Sequence, residues 1–178
     1  IPVYAEMSSI NPVILMPAAA ERGIDDFAAG FATSLTLGSG QFCTNPGLVF
    51  VPAGAPDVVA AIGAAIGASS GQTMLSASIR QAYTEGLERV TGLGAAELAC
   101  GTPGPTLNSP APVVFTTTAA QFQRTPHLQE EVFGAAAVVV TYDSADELRA
   151  CLEALQGQLT ATVHLADADH AAAAWLVP

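Results

Sequence analysis

The 178-residue chain carries 16 acidic against 5 basic side chains, a formal net charge of -11, and 51% of it is hydrophobic, for a mean hydropathy of +0.42. That length and apolar content suit one domain with a sheet buried under helices, and so few cations exclude partners that need phosphate neutralised: no nucleic acid and no anionic membrane. Cys43, Cys100 and Cys151 are an odd number at unrelated spacings, neither a disulfide framework nor a zinc pattern, which points to a reducing cytoplasm.

Taken in chain order, residues 1–5 and 12–16 read as short apolar strands, and Asp25 or Asp26 as the cap of a helix whose apolar positions Phe27, Phe31 and Leu35 recur at helical spacing. A glycine-rich loop around Cys43 follows, and Asn45-Pro46-Gly47 turns the chain into a buried strand over 48–51. Pro56 suits the first turn of a helix with Val58, Ile62 and Ile66 on its apolar face, and a further helix is predicted over 76–90. The Pro- and Gly-rich stretch 101–112 reads as a loop before strands at 113–117 and 135–141. Ser144 and Glu147 have capping-box spacing, with Leu148, Cys151, Leu152 and Leu155 on the buried face of the helix they open. A strand over 159–165 and a short helix capped by Asp167 complete the pattern.

Apolar runs too continuous for a one-sided sheet, separated by helices, predict an α/β domain: three layers, a largely parallel sheet flanked by helices. No secretory signal pattern and no apolar run of about 20 residues occurs, so a soluble, cytoplasmic protein is expected. The chain begins at Ile1 without an initiator methionine and stops inside an apolar helical pattern, so both ends read as cut.

Three segments carry chemistry. Cys43 sits in Gly38-Ser39-Gly40-Gln41-Phe42-Cys43-Thr44-Asn45-Pro46-Gly47, where glycines leave the approach to the sulfur bare and the turn can free the Cys43 and Thr44 amides to donate to a developing oxyanion. A thiol nucleophile needs a base. Glu6, placed after the strand-like start and before Met7-Ser8-Ser9-Ile10-Asn11-Pro12, stands at a strand end among small polar residues, where open α/β sheets place their sites. Leu128-Gln129-Glu130-Glu131-Val132-Phe133-Gly134 sets a carboxylate and an aromatic ring before a strand, able to meet one small ligand.

Together, and in this order, the three segments resemble the aldehyde dehydrogenase superfamily. Its Glu-Leu-Gly-Gly-Lys-x-Pro motif matches Glu6 to Pro12, with Ser8-Ser9 for the glycines and Ile10 for the lysine; Gly-Gln-x-Cys matches Gly40 to Cys43; Glu-Glu-x-Phe-Gly-Pro matches Glu130 to Gly134, with Ala135 for the proline. The detailed forms resemble the branch acting on α-ketoglutaric semialdehyde (2,5-dioxovalerate) and, less closely, that of NADP-preferring fatty aldehyde dehydrogenases.

The resemblance implies that Cys43 attacks the aldehyde, that Glu6 activates the water that releases the acid, and that Met7, Glu131 and Phe133 meet the nicotinamide end of NAD or NADP, with NADP somewhat favoured. It also implies a catalytic domain over 1–178, with the main dinucleotide-binding domain, an asparagine oxyanion donor and a C-terminal segment outside this chain, and a homo-oligomeric parent protein. Two readings of other classes stand beside it: a cysteine acyl hydrolase with His127 as base to Cys43, and a non-catalytic module in which the cysteine loop is merely a tight connection.

Overall fold

A computed structural model of the protein describes residues 1–3 and 7–176. Six strands, β1 (Pro12–Leu15), β2 (Leu48–Pro52), β3 (Ala96–Cys100), β4 (Val113–Thr118), β5 (Ala136–Tyr142) and β6 (Thr162–His164), form one sheet in the order β3-β4-β5-β2-β1-β6. Every pairing is parallel except that of β3 with β4. The helices are α1 (Ile24–Thr36), α2 (Pro56–Gly67), α3 (Ala77–Gly92), α4 (Ala119–Arg124), α5 (Ala145–Ala154) and α6 (His170–Ala173).

Two cores follow from the period-2 geometry of the strands. Val49 and Val51 of β2 and Val139 of β5 face Phe31, Leu35, Val58 and Ile62 of α1 and α2, whereas Leu48, Phe50 and Val140 face Phe122, Leu148 and Cys151 of α4 and α5. Both faces of the central strands are thereby closed to water, and the expected three-layer α/β arrangement is present.

Local chemistry sets several boundaries. The Ser76 hydroxyl accepts from Ile79 N–H (3.2 Å) to open α3, and Ser144 Oγ accepts from Glu147 N–H (3.2 Å) to open α5, while Glu147 reaches back to Asp143 N–H (2.8 Å). Other boundaries differ from expectation. The N-cap of α1 is Gly23 at φ 60°, with Asp25 and Asp26 inside the first turn, where they face the positive end of the helix. Residues 1–3, the described part of the strand expected over 1–5, carry none: Ile1 and Val3 are exposed, and no strand among the described residues pairs with them, while residues 4 and 5 lie outside the described residues. The last predicted strand shrinks to Thr162–His164.

Candidate active site

The cysteine loop is bent by the backbone itself. Gly38, Ser39 and Gly40 all have positive φ (55°, 62° and 68°), a left-handed run that glycine adopts freely and that turns the chain sharply after α1. At Gly40 a Cβ would run into the backbone of Gly134 and Ala135, so the loop is seated against the segment that enters β5. The Cys43 side chain is exposed. Among the described residues the amides of Cys43 and Thr44 donate to no acceptor, whereas Asn45 N–H closes the turn onto Phe42 O (3.0 Å).

The three chemistry-bearing segments meet through hydrogen bonds. Ser8 Oγ (2.9 Å) and Ser9 N–H (3.3 Å) both donate to Glu131 Oε2, which ties the segment after Glu6 to the Glu130-Glu131 pair. Asn11 Nδ2 donates to Cys43 O and to Asn45 O, each at 2.9 Å. Asn45 Nδ2 in turn donates to Gly134 O (3.0 Å). The fold therefore brings the Cys43 loop, the Met7-bearing segment and the Glu131–Phe133 segment together. Glu6 itself lies outside the described residues.

The site occupies the edge of the sheet opposite to the one expected. Ser9 to Asn11 lead into β1, Asn45 to Gly47 into β2, Gly134 into β5 and Gln158 to Thr160 into β6, and because these strands run parallel their amino ends share one edge. Open α/β sheets place ligands at the carboxyl ends when the helix following each strand presents its amino terminus there. Here irregular segments stand before the strands, their carbonyls and amides outside the sheet ladder, and side-chain amides bind them together.

Two residues in this network carried no signal of their own. Asn11 is 2% exposed and sits at φ 49°, a conformation asparagine tolerates better than most side chains. Gln158 Oε1 accepts from Ile10 N–H (2.6 Å) and Asn11 N–H (3.2 Å). A polar Gln-x-Thr preceding a strand was the available hint for the second.

Electrostatics separate the two adjacent glutamates. Glu130 Oε1 lies 2.6 Å from His127 Nδ1, and its other oxygen 3.6 Å from Arg89 Nε; the His127 hydrogen bond, with smaller electrostatic help from His127 and Arg89, outweighs desolvation and holds that carboxyl below the usual carboxylate range. His127 is thus exposed on a single turn (Pro126–Gln129) with Glu130 as its partner, and among the described residues no hydrogen bond joins it to Cys43. Glu131 is half-buried and, through Oε1, keeps an acceptor free of described partners; Phe133 beside it is 42% exposed and Met7 88% exposed. A carboxylate with one open acceptor oxygen, next to an uncovered ring, fits the hydroxyl donors of a ribose diol and the flat ring of a nicotinamide nucleotide.

The match to protein families decides the affiliation, since a family model described as the aldehyde dehydrogenase family covers residues 1–175. The chain belongs to the aldehyde dehydrogenase family. Among curated relatives in that family, alpha-ketoglutaric semialdehyde dehydrogenase 2 of Azospirillum brasilense is 45% identical over 175 residues, covering 95% of this chain and 33% of the relative. Alpha-ketoglutaric semialdehyde dehydrogenase of Acinetobacter baylyi is 36% identical over 174 residues, with the same 95% and 33%. The chain therefore spans about a third of the length of these relatives. Among solved structures, proline utilization A of Bradyrhizobium japonicum superposes with a TM-score of 0.73 at 26% identity, covering 92% of this chain and 17% of that one. Aldehyde dehydrogenase C of Pseudomonas syringae, solved with NAD+ and octanal, superposes at 0.77 with 20% identity over 93% of this chain and 36% of that one, a likeness of fold.

Proposed function

We propose that the whole protein oxidises an aldehyde to a carboxylic acid with NAD(P)+, using Cys43 as nucleophile and Glu6 as general base, and that its aldehyde is 2,5-dioxovalerate, released as 2-oxoglutarate. The observation that carries the reaction is the convergence of an exposed cysteine, in a loop with two unengaged amides, on the segment bearing Glu131 and Phe133. The substrate rests on the activity for which the two curated relatives are named.

In this reading the Cys43 sulfur adds to the carbonyl carbon and the Cys43 amide donates to the oxygen that becomes negative. The dinucleotide, when bound, supplies the acceptor for the hydride that leaves that carbon. The acyl group left on sulfur is a thioester; Glu6 takes a proton from water, the hydroxide adds to the thioester carbonyl, and the carbon–sulfur bond breaks to return the thiolate. Glu131 holds the nicotinamide ribose through its open oxygen, Phe133 packs beside the nicotinamide, and Met7 lines the same contact. The subfamily resemblance favours NADP+ over NAD+, and a homo-oligomeric whole protein belongs to the same proposal.

The test is an assay of the whole protein with 2,5-dioxovalerate and with long aliphatic aldehydes, using each dinucleotide, beside its Cys43→Ser and Glu6→Gln variants. Turnover of 2,5-dioxovalerate that disappears in both variants is the expected result. Oxidation of the aliphatic aldehydes alone would overturn the substrate, and turnover that survives Cys43→Ser would overturn the mechanism. Ester cleavage independent of Glu6 would instead support an acyl hydrolase.

A further inference from the structure

We infer that Asn11 is a positioning residue for the nucleophile: its carboxamide, oriented by Thr160 and Ser9, sets the height and direction of the Cys43 loop above the sheet edge. The inference deepens the reading of Cys43 as nucleophile and rests on it.

The geometry assigns each end of the carboxamide a separate task. Nδ2 faces three carbonyl oxygens, Ser9 O at 3.2 Å and Cys43 O and Asn45 O at 2.9 Å, and so spans the turn that carries the thiol. Two protons on one nitrogen thus hold both sides of a three-residue turn, and Cys43 cannot tilt without losing one of them. Oδ1 takes the opposite role. It accepts from Thr160 N–H (3.3 Å) and Thr160 Oγ1 (3.1 Å), and Ser9 Oγ, 2.7 Å away, shares its proton between Oδ1 and Gln158 Oε1.

Those acceptor-side bonds fix which way the amide points. A flipped carboxamide would set its oxygen against the Ser9, Cys43 and Asn45 carbonyls and its nitrogen against Thr160 N–H, keeping at most the bonds to the Thr160 and Ser9 hydroxyls, which can accept as well as donate. The cost is high in a place that is 2% exposed, because no water replaces the lost partners. The backbone is chosen to suit: at φ 49° the Asn11 side chain projects back across its own turn, and Gln158 pins the Ile10 and Asn11 amides that shape the bend. Beyond the turn, Asn45 on Gly134 and Gly47 N–H on Ile10 O (2.8 Å) hold the loop to the same sheet edge, while its earlier half is held elsewhere, by Ser39 Oγ donating to Gln72 O and Leu75 N–H donating to Gln41 Oε1 (3.0 Å each).

Three substitutions separate positioning from plain stability. Asn11→Gly keeps the left-handed backbone and adds no charge; Asn11→Asp keeps the shape but replaces the donor with an oxygen facing three carbonyls; Thr160→Val leaves Asn11 in place and removes one of the groups that orient it, at an exposed position. In the whole protein, iodoacetamide labelling is followed peptide by peptide at matched folded fraction, with exposed Cys100 as the internal reference. The ratio of Cys43 to Cys100 labelling is expected to fall about tenfold in Asn11→Gly, further in Asn11→Asp and less in Thr160→Val, and kcat to fall up to about 100-fold while KM for the dinucleotide stays within about twofold.

A ratio within about twofold of the unmodified protein in every variant that folds overturns the inference, even if melting temperature drops, since a stability role alone moves only the melt. If both Asn11 variants fail to fold, the labelling ratio of Thr160→Val decides between the two outcomes. Failure of the nucleophile reading looks different: the unmodified protein would oxidise no aldehyde and label Cys43 no faster than Cys100.

Discussion

At the scale of single residues, the site depends on places where a side chain would collide or where one atom serves several partners. Gly40→Ala illustrates the first. The new Cβ meets backbone of Gly134 and Ala135 that cannot rotate away, at a φ of 68° that alanine itself resists, so a loss of about 3 kcal/mol or more is expected in urea unfolding. Glu131→Gln illustrates the second. The neutral amide still accepts from Ser9 N–H but is a weaker partner for a ribose diol, and in the whole protein KM for the dinucleotide is expected to rise about tenfold with a smaller change in kcat. A rise in aldehyde KM alone would place Glu131 on the substrate side. Cys43 stands out in the sequence because glycines and turn formers surround it, and Glu131 only through the motif it resembles; Asn11 does not stand out, since an asparagine before a proline is ordinary turn chemistry.

At the scale of elements, one buried carboxylate ties the end of the chain to its beginning. Asp169, 4% exposed, accepts from Ala18 N–H and Ala19 N–H (2.9 Å each), beyond β1, and from Ala166 N–H (3.0 Å), beyond β6. Desolvation pushes its carboxyl up, but the three backbone donors together with His170 prevail and hold it below the usual carboxylate range. Because the folded value lies below the unfolded one, the stabilisation is fully present above the unfolded aspartate value of about 4 and is lost as pH falls through the folded value. Asp169→Asn should cost about 2 kcal/mol at pH 7, and the gap to the unmodified protein should close on acidification below about pH 4, read by thermal melts across pH. A gap that persists undiminished on acidification to about pH 3 would mean that charge is not what Asp169 contributes.

Elements differ in how far their own residues encode them. The strands β1, β2, β4 and β5 and the helices α1, α2, α3 and α5 were visible as apolar runs or helical spacings, since their burial is written in their own residues. The strand β3 was not. Ala96 to Cys100 is largely exposed, contains Glu97 and is bulged between Glu97 and Ala99; it is a strand because β4 offers it an open edge. The helix α4, six residues opened by Thr118 Oγ1 on Gln121 N–H (3.3 Å), is shorter than two turns and shows no period to read.

At the scale of the whole molecule, charge and composition bear on what this chain can hold unaided. A net charge of -11 repels a pyrophosphate, and among the described residues no glycine-rich turn opens a helix beneath a Rossmann-type strand. Calorimetric titration of the 178-residue chain with NAD+ and with NADP+ is therefore expected to show no binding in the micromolar range, while the whole protein binds one of them. Micromolar binding to the chain would mean that the Glu131 and Phe133 contacts carry more of the affinity than their open setting suggests. No helix among the described residues is long and apolar enough to cross a membrane.

The amino-acid sequence by itself determined the fold class, most of the buried elements and which residue types stand as candidates for chemistry, because hydrophobic period, turn residues and a cysteine among glycines act over a few positions. Tertiary structure decided the rest: that the three segments converge on the amino edge of the sheet, that Glu131 meets Ser8 across 123 positions of chain, and that Asn11 and Gln158 become the clasp around Cys43. Those are hydrogen bonds between residues far apart in sequence. Their existence depends on strand order, which no local preference encodes and which only the parallel packing of β1, β2, β5 and β6 brings about.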